Sequence, residues 1–494
     1  MDLSTAVRES DLETIRAVLD AGADVRYVRP HGYTVLIDVL YSQSIREEEQ
    51  LIPVLRLLIE RGADLNVISD YGESALRVSS RLGWFEAVGV LLDAGADPGP
   101  LHWSPLHRAV ALGTVADVRR RLECGDDLSA RDWWERTPWL LSLQTRDVAK
   151  AELLLAAGAD PNDRGRCGKP SLLFAAESND PAVLRWLLET GVDPNIADEF
   201  GGTPLIVAAG NGDAECVRLL LDAGADPLLH SITDTPIRSA SNLAVARMLV
   251  RAGADLADVN EDVRDEITKR RRSESIDCSR EEYQAAKDRA FGTANPQLMN
   301  FPFWRAMVAC GDCAYGARAQ FEAADVHGPA VWCFDRFGKS FTELPDGRVI
   351  EIAGEHEDYC DQDFCIYNDV IVHNGDGTFD IYGYPRDVFP PTDFHTATLV
   401  GNSIYVIGNL GYSGERRFGV TQVYRLDSET LTMEPVETTG TQPGWIHRHR
   451  AKLIGNAIEV TGGIVCMLVD GEETTEDNAG RFLLDLGTMV WSEG

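Results

Sequence analysis

The chain has 494 residues, of which 44% are apolar and 8% aromatic, and its formal net charge is −33. That composition excludes a disordered or low-complexity chain and leaves room for two to four domains with cores of their own. The acidity argues against nucleic acid and anionic membrane as partners, since phosphate contacts need basic patches; it permits a basic protein partner, attracted over long range at low salt.

The first residues, MDLSTAVRESDLETIRAVLD, carry acids early and helical periodicity, unlike a secretory leader. No run of about 18 apolar residues occurs, so no membrane-spanning helix is expected and the protein reads as soluble and cytoplasmic. A tripeptide of the Gly-Ala-Asp type then recurs, starting at Gly22, Gly62, Gly95, Gly125, Gly158, Gly191, Gly224 and Gly253. Most intervals are close to 33 residues, and the insertion YSQSIREEEQLIP lengthens the first. In the clearest unit Thr203 caps a helix that has Pro204 at its first position. A second helix follows with Val217, Leu220 and Leu221 at core spacing, and Gly224 suits the left-handed position past its end.

SPLHRAV at Ser104–Val110 and TPLIVAA at Thr203–Ala209 give these units a specific resemblance to ankyrin repeats, with about eight of them over residues 1–260 and irregular ones at both ends. The resemblance implies a solenoid whose turn tips and first helices line up into a concave protein-binding surface. At the variable turn positions stand Tyr33, Tyr71, Trp103, Trp133, Trp134, Arg136 and Phe200. Aromatic residues and arginine are unusual in solvated turns and common in interface hot spots, so these seven are the expected protein-binding residues.

Residues 261–329 read as a helical connector, with Ser279 and Glu282 spaced as a capping box. From residue 330 the pattern changes to strands. HTATLVGNSIYVIGN and HRAKLIGNAIEVTGG are offset by 54 residues, and the same step back reaches Gly354. Tight turns at Gly401–Asn402, Gly455–Asn456 and Pro345–Gly347 separate paired strands, and two more strands follow in each copy. Four strands in about 50 residues resemble kelch repeats, with VTGGIV and Trp491 as the matching hallmarks. The double glycine occurs only at Gly462–Gly463, and the late tryptophan is absent from the first two copies. The expected fold is therefore multidomain: an α-helical ankyrin-repeat solenoid, then an all-β, kelch-like, partial or irregular propeller. Its blades fall near 338–390, 391–446 and 447–494, with a partial fourth from about residue 300 as an alternative. Three blades are too few to close a ring, so a homodimer through the β-domain is another way to cover the open edge.

The ten cysteines fit a reducing compartment. Cys310 and Cys313 form one C-x-x-C pair; a zinc site would need partners such as His356, Cys360 or Cys365, and buried free thiols are the expected state. No metal or cofactor is expected. The β-domain loops bring Glu355, His356, Glu357, Asp358, Asp393 and His395 as candidate ligand-loop residues, while no nucleophile elbow, H-E-x-x-H or P-loop motif occurs. His395 aligns with His449, which points to a repeated structural role. The function expected is a protein-interaction scaffold or adaptor, in its sharper form an acidic inhibitor or immunity protein for a basic partner. A kelch-type propeller enzyme, or a carbohydrate- or small-ligand-binding protein targeted by ankyrin repeats, is the alternative.

Overall fold

The computed structural model describes the chain apart from residues 1, 10, 43, 46, 47, 323–329, 359 and 360; the side chains of residues 48, 357, 358 and 361–363 also lie outside the description. The chain divides into two compact units, Met1–Ala254 and Asp255–Gly494. Among the described residues no helix is long and apolar enough to cross a membrane.

The first unit consists of eight helix pairs among the described residues, from Leu3–Glu9 with Leu12–Asp20 to Pro236–Ser239 with Leu243–Arg251. Most of these helices begin where the sequence supplies an oxygen for a free N–H. Thr203 Oγ1 accepts from Ile206 N at 3.3 Å, and Asp213 accepts from Glu215 N and Cys216 N. In the helix Ala214–Asp222 the fully buried positions are Cys216, Val217 and Leu220; Leu221, expected in the core, is half-buried at the stripe's edge. Every second helix ends on one of the eight periodic glycines, with φ between 78° and 114°. At Gly22, Gly95, Gly125, Gly158, Gly191, Gly224 and Gly253 no atom lies within 4 Å of an added Cβ, so backbone angle rather than room selects glycine.

The second unit joins helices and strands in one body. Helices Pro302–Cys310 and Ala314–Phe321 share a core with the first sheet, where Phe303, Trp304 and Met307 meet Trp332, Tyr367, Ile371 and Ile381. The segment expected as a connector is thus part of the second unit from Asp255 onward. Residues near 300 do not start a fourth blade: Pro302 opens a helix whose Phe303, Trp304, Met307 and Val308 fall on one face. Trp332 stacks on Trp304 with ring centroids 4.6 Å apart.

Three four-stranded antiparallel meanders follow in chain order. The first runs Ser340–Glu343, Val349–Ile352, Val370–His373 and Phe379–Gly383, with Gln297–Leu298 added at its edge. The second runs Thr396–Val400, Ser403–Ile407, Val423–Asp427 and Met433–Pro435, and the third Arg450–Ile454, Ala457–Thr461, Arg481–Asp485 and Val490–Glu493. The second and third strands of the first meander are buried throughout because both faces are covered. Ile371 points to the helices, whereas Val370 and Val372 join Ile404, Val406 and Leu426 of the second meander. Tyr405, Ile407 and Val423 in turn meet Ile458, Val460, Leu484 and Trp491 of the third. The third sheet buries one face only; the alternating residues Glu459 and Arg481 form an ion pair on the other. No sheet closes on itself among the described residues.

The meanders are tied at one recurring point. Phe394 N–H donates to Gly338 O at 2.8 Å, and Arg448 N–H to Phe394 O at 2.9 Å. All three residues have positive φ, at 61°, 46° and 55°. One step on, His395 Nε2 meets Ser340 Oγ and His449 Nε2 meets Thr396 Oγ1, each at 2.9 Å.

Candidate protein-binding surface

The turn tips of the first unit are stitched into a row by backbone bonds. Asp70 N–H donates to His31 O, Trp133 N–H to Leu101 O, Glu199 N–H to Cys167 O and Ile232 N–H to Phe200 O, at 2.9–3.1 Å. Two arginines one period apart repeat the same reinforcement. Arg131 Nη1 bonds Glu135 O and Arg164 O, and Arg164 Nη1 bonds Gly168 O and Ala197 O. Such a row holds side chains at fixed spacing, as a recognition surface requires.

On this row the aromatic residues gather into two linked clusters. In the first, Tyr71 is 68% exposed, with its ring centroid 5.5 Å from His31 and 6.4 Å from Tyr33. Glu73 accepts from Tyr33 Oη at 3.3 Å, Tyr41 Oη at 2.7 Å and Arg81 Nη2 at 3.3 Å. Burial, reinforced by this carboxylate, raises the pKa of both phenols and keeps them protonated. In the second, Trp133 and Trp134 are half-buried, with centroids 5.0 Å apart. Arg77 lies over Trp133 at 5.0 Å, and Trp134 is flanked by Arg81 at 5.4 Å and Arg166 at 4.7 Å. Arg81 belongs to both clusters and joins them.

Sequence reasoning missed Tyr41, Glu73, Arg77, Arg81 and Arg166. The available signal was Arg77 and Arg81 one turn apart on the helix Ala75–Arg81. Trp103 is half-buried beside Phe85 at 6.3 Å, and Phe200, 47% exposed, stands apart on a later turn. Arg136 is a correction. It is wholly buried, and its guanidinium bonds Asp132, Ser80 O, Ser80 Oγ and Gln144 Oε1, so it cannot belong to an exposed surface. Its carbonyl meets His107 Nε2 at 3.0 Å, and burial lowers the pKa of that imidazole. His107 Nδ1 also lies 2.8 Å from Ser104 Oγ, so the S-P-L-H signature couples a helix cap to the next turn.

In the second unit Glu355, His356, Asp393 and His395 are all buried. Glu357 and Asp358 lie on the strand Glu355–Asp358, their side chains outside the described residues, as is Cys360. Asp393 Oδ1 accepts from Gly411 N at 2.7 Å, and Asp393 N–H donates to Asn409 Oδ1 at 3.0 Å. Burial raises the Asp393 carboxyl above the usual range, against hydrogen bonds from Gly411 and the Glu355 carboxyl. Asn409 and Gly411 also line a cleft of about 500 Å³ with Arg386, Tyr412, Arg417 and Trp445. His395 and His449 are pushed down to about 3 by burial and stay neutral. His356 and Cys365 are cross-strand partners, and among the described residues no group of three or more His, Cys, Asp or Glu side chains could hold a metal.

Residues 172–260 match the family model of ankyrin repeats in three copies, and the N-terminal half of the chain contains a helical ankyrin region. A protein of Acanthamoeba polyphaga mimivirus named for its ankyrin repeats is 32% identical over 93 residues, 18% of this chain and 55% of its own. An inactive serine/threonine-protein kinase of Mus musculus is 31% identical over 93 residues, 18% of this chain and 6% of its own. Neurogenic locus notch homolog protein 1 of Xenopus tropicalis is 30% identical over 164 residues, 30% of this chain and 6% of its own. The chain therefore spans about half the length of the viral relative and a small fraction of the other two. Ankyrin repeats point to protein–protein interaction.

Proposed function

We propose that this protein is an interaction scaffold whose partner docks on the turn tips and first helices of the ankyrin region, along the row from Tyr71 to Trp134. The observation that carries this reading is the series Tyr71, Tyr41, Arg81, Trp134, Arg166, drawn from the second, third, fifth and sixth repeats, with Tyr71, Tyr41 and Arg166 exposed and Arg81 and Trp134 half-buried between them. Tyr, Trp and Arg supply large contact area at low entropic cost, and here much of that cost is already met by stacking. The second unit we assign a kelch-like, open propeller architecture, supported by its three meanders, each tied to the next at an equivalent position. Its buried Glu355–Asp393 carboxyl pair we assign to packing. The chain-wide charge of −33 would draw a basic partner from a distance, as an acidic inhibitor requires, but it does not set the chemistry at the row itself.

The test uses the full chain. A partner captured from the source organism is identified, purified and titrated against native protein and the double variant Tyr71→Ala/Trp134→Ala. The expected result is at least about tenfold weaker binding with an unchanged melting temperature. Unchanged affinity would refute the placement of the site.

A further inference from the structure

Resting on that scaffold reading, we infer that the occupant of the Trp134 site is an acidic peptide segment, with an Asp or Glu carboxylate received by the guanidinium of Arg166 beside the positive charge of Arg81. Three arginines converge on two adjoining indoles, whose rings lie 5.0 Å apart. Their counter-charge is sparse. Glu73 is shared among Arg81 and two phenols. Arg77 spends its Nε and Nη1 on the carbonyls of Pro100 and Gly72, which carry no charge. Arg166 is exposed and makes no ion pair among the described residues, even though the exposed Glu135 follows Trp134 directly.

A free arginine on a surface has many rotamers, and fixing one opposes binding. Contact with Trp134 holds the guanidiniums of Arg81 and Arg166 before any ligand arrives; Arg81 Nη2 is already given to Tyr41 and Glu73, so the N–H edge open to a planar, bidentate acceptor is that of Arg166, with Arg81 beside it as added positive charge. A carboxylate fits that fork, whereas a lysine- or arginine-bearing segment would meet three like charges. Nucleic acid fits poorly, because it needs many phosphate contacts and the remaining surface is strongly acidic. At physiological salt the screening length is about 8 Å, so the local cluster outweighs the distant net charge for a group in contact.

The experiment measures fluorescence anisotropy of three labelled peptide pools on the full chain at 0.15 M salt. All pools share randomised apolar and aromatic flanks; the central pair is Glu/Asp, Gln/Asn or Lys/Arg. The acidic pool should bind about tenfold more tightly than the amide pool, and the basic pool least. Arg166→Glu should abolish that preference and Trp134→Ala should weaken all pools, with both variants melting like the native chain. Equal binding of acidic and amide pools, both lost in Trp134→Ala, would overturn the acidic occupant while leaving the scaffold reading intact. Preference for the basic pool, a response only to a phosphoserine version, or no binding by any pool would also overturn it. The scaffold reading stands or falls separately, on titration of the natural partner.

Discussion

Replacing Arg136 should cost the ankyrin region more than any change on its exposed row. All five guanidinium N–H donors are used: one by Nε to Asp132, two by Nη1 to Ser80 O and Gln144 Oε1, and two by Nη2 to Ser80 Oγ and Asp132. Those acceptors lie in the third and fifth helix pairs, and His107 of the fourth holds the Arg136 carbonyl. Arg136→Met would fill much of the volume but leave the Asp132 carboxylate, with 0% side-chain exposure, charged and unpaired. Breaking one partner of such a pair costs about 3–5 kcal/mol. Asp132 also accepts the backbone N–H groups of residues 134 and 136, so Asp132→Leu would add new unpaired donors. Asp132→Asn keeps those bonds and removes the charge, and the double variant Asp132→Asn/Arg136→Met should recover to within about 2 kcal/mol of the native chain. Urea unfolding with hydrogen exchange read at Pro105–Leu112 and Pro138–Ser142 measures this, because a repeat array transmits stability through neighbouring interfaces. A loss below about 1 kcal/mol for Arg136→Met, or a double variant no more stable than the single, would refute the buried-pair account.

The second unit should lose stability in mild acid. Burial pushes His395 and His449 down to about 3 and His447 to about 4, so the unfolded chain binds their protons first; stability present above pH 6.5 is lost as pH falls, at about 4 kcal/mol per pH unit for three histidines between pH 6 and 4. Urea midpoints across that range check it, and a flat profile contradicts it. The raised carboxyl of Asp393 acts in the opposite sense, its contribution fading as pH rises above about 4, so Asp393→Asn should gain on the native chain as pH rises from there through the carboxyl's raised titration range in paired denaturation curves. Gly338→Ala should cost about 3 kcal/mol, since φ is 61° and the new Cβ would sit 2.5 Å from Phe394 N. Gly414→Ala, with no atom within 4 Å and no positive φ, is the matched control and should melt like the native chain.

The helix pairs were legible because their determinants are local. A capping oxygen, a proline at the first position and a left-handed glycine act within one helix and recur at one period. The surface was legible only in its aromatic half. Trp133, Trp134 and Tyr71 stand in turns where nothing nearby explains them, whereas Arg77 and Arg81 look like ordinary exposed helix positions. Only the stacking of repeats brings those two, from the third helix pair, against the tryptophans before the fifth, and Arg166 against one of them. Arg136 failed for the same reason in reverse: the groups that bury it include Ser80, 56 residues away, so a turn arginine looked solvent-facing. In the second unit, Glu351 sits inside the apolar run Val349–Ile352, and its partners Lys339 and His373 come from just before the strand Ser340–Glu343 and from the strand Val370–His373.

The β repeats show why a regular structure can rest on an irregular sequence. The tie between meanders demands one left-handed residue per copy, a conformation for which glycine is the cheapest choice. Three glycines are not what the chain carries. The equivalent residues are Gly338, Phe394 and Arg448, and they touch one another: the Arg448 guanidinium lies 3.7 Å from the Phe394 ring centroid, and that ring lies 2.8 Å from where a Cβ on residue 338 would be. Each copy therefore needs a different side chain because each faces a different neighbour. Only the copy that receives the phenyl ring must be glycine. The other two accept about 1–2 kcal/mol of backbone strain against an inter-sheet hydrogen bond and a cation–π contact. A consensus built on sequence identity sees three unrelated residues here, while the backbone repeats the same turn each time.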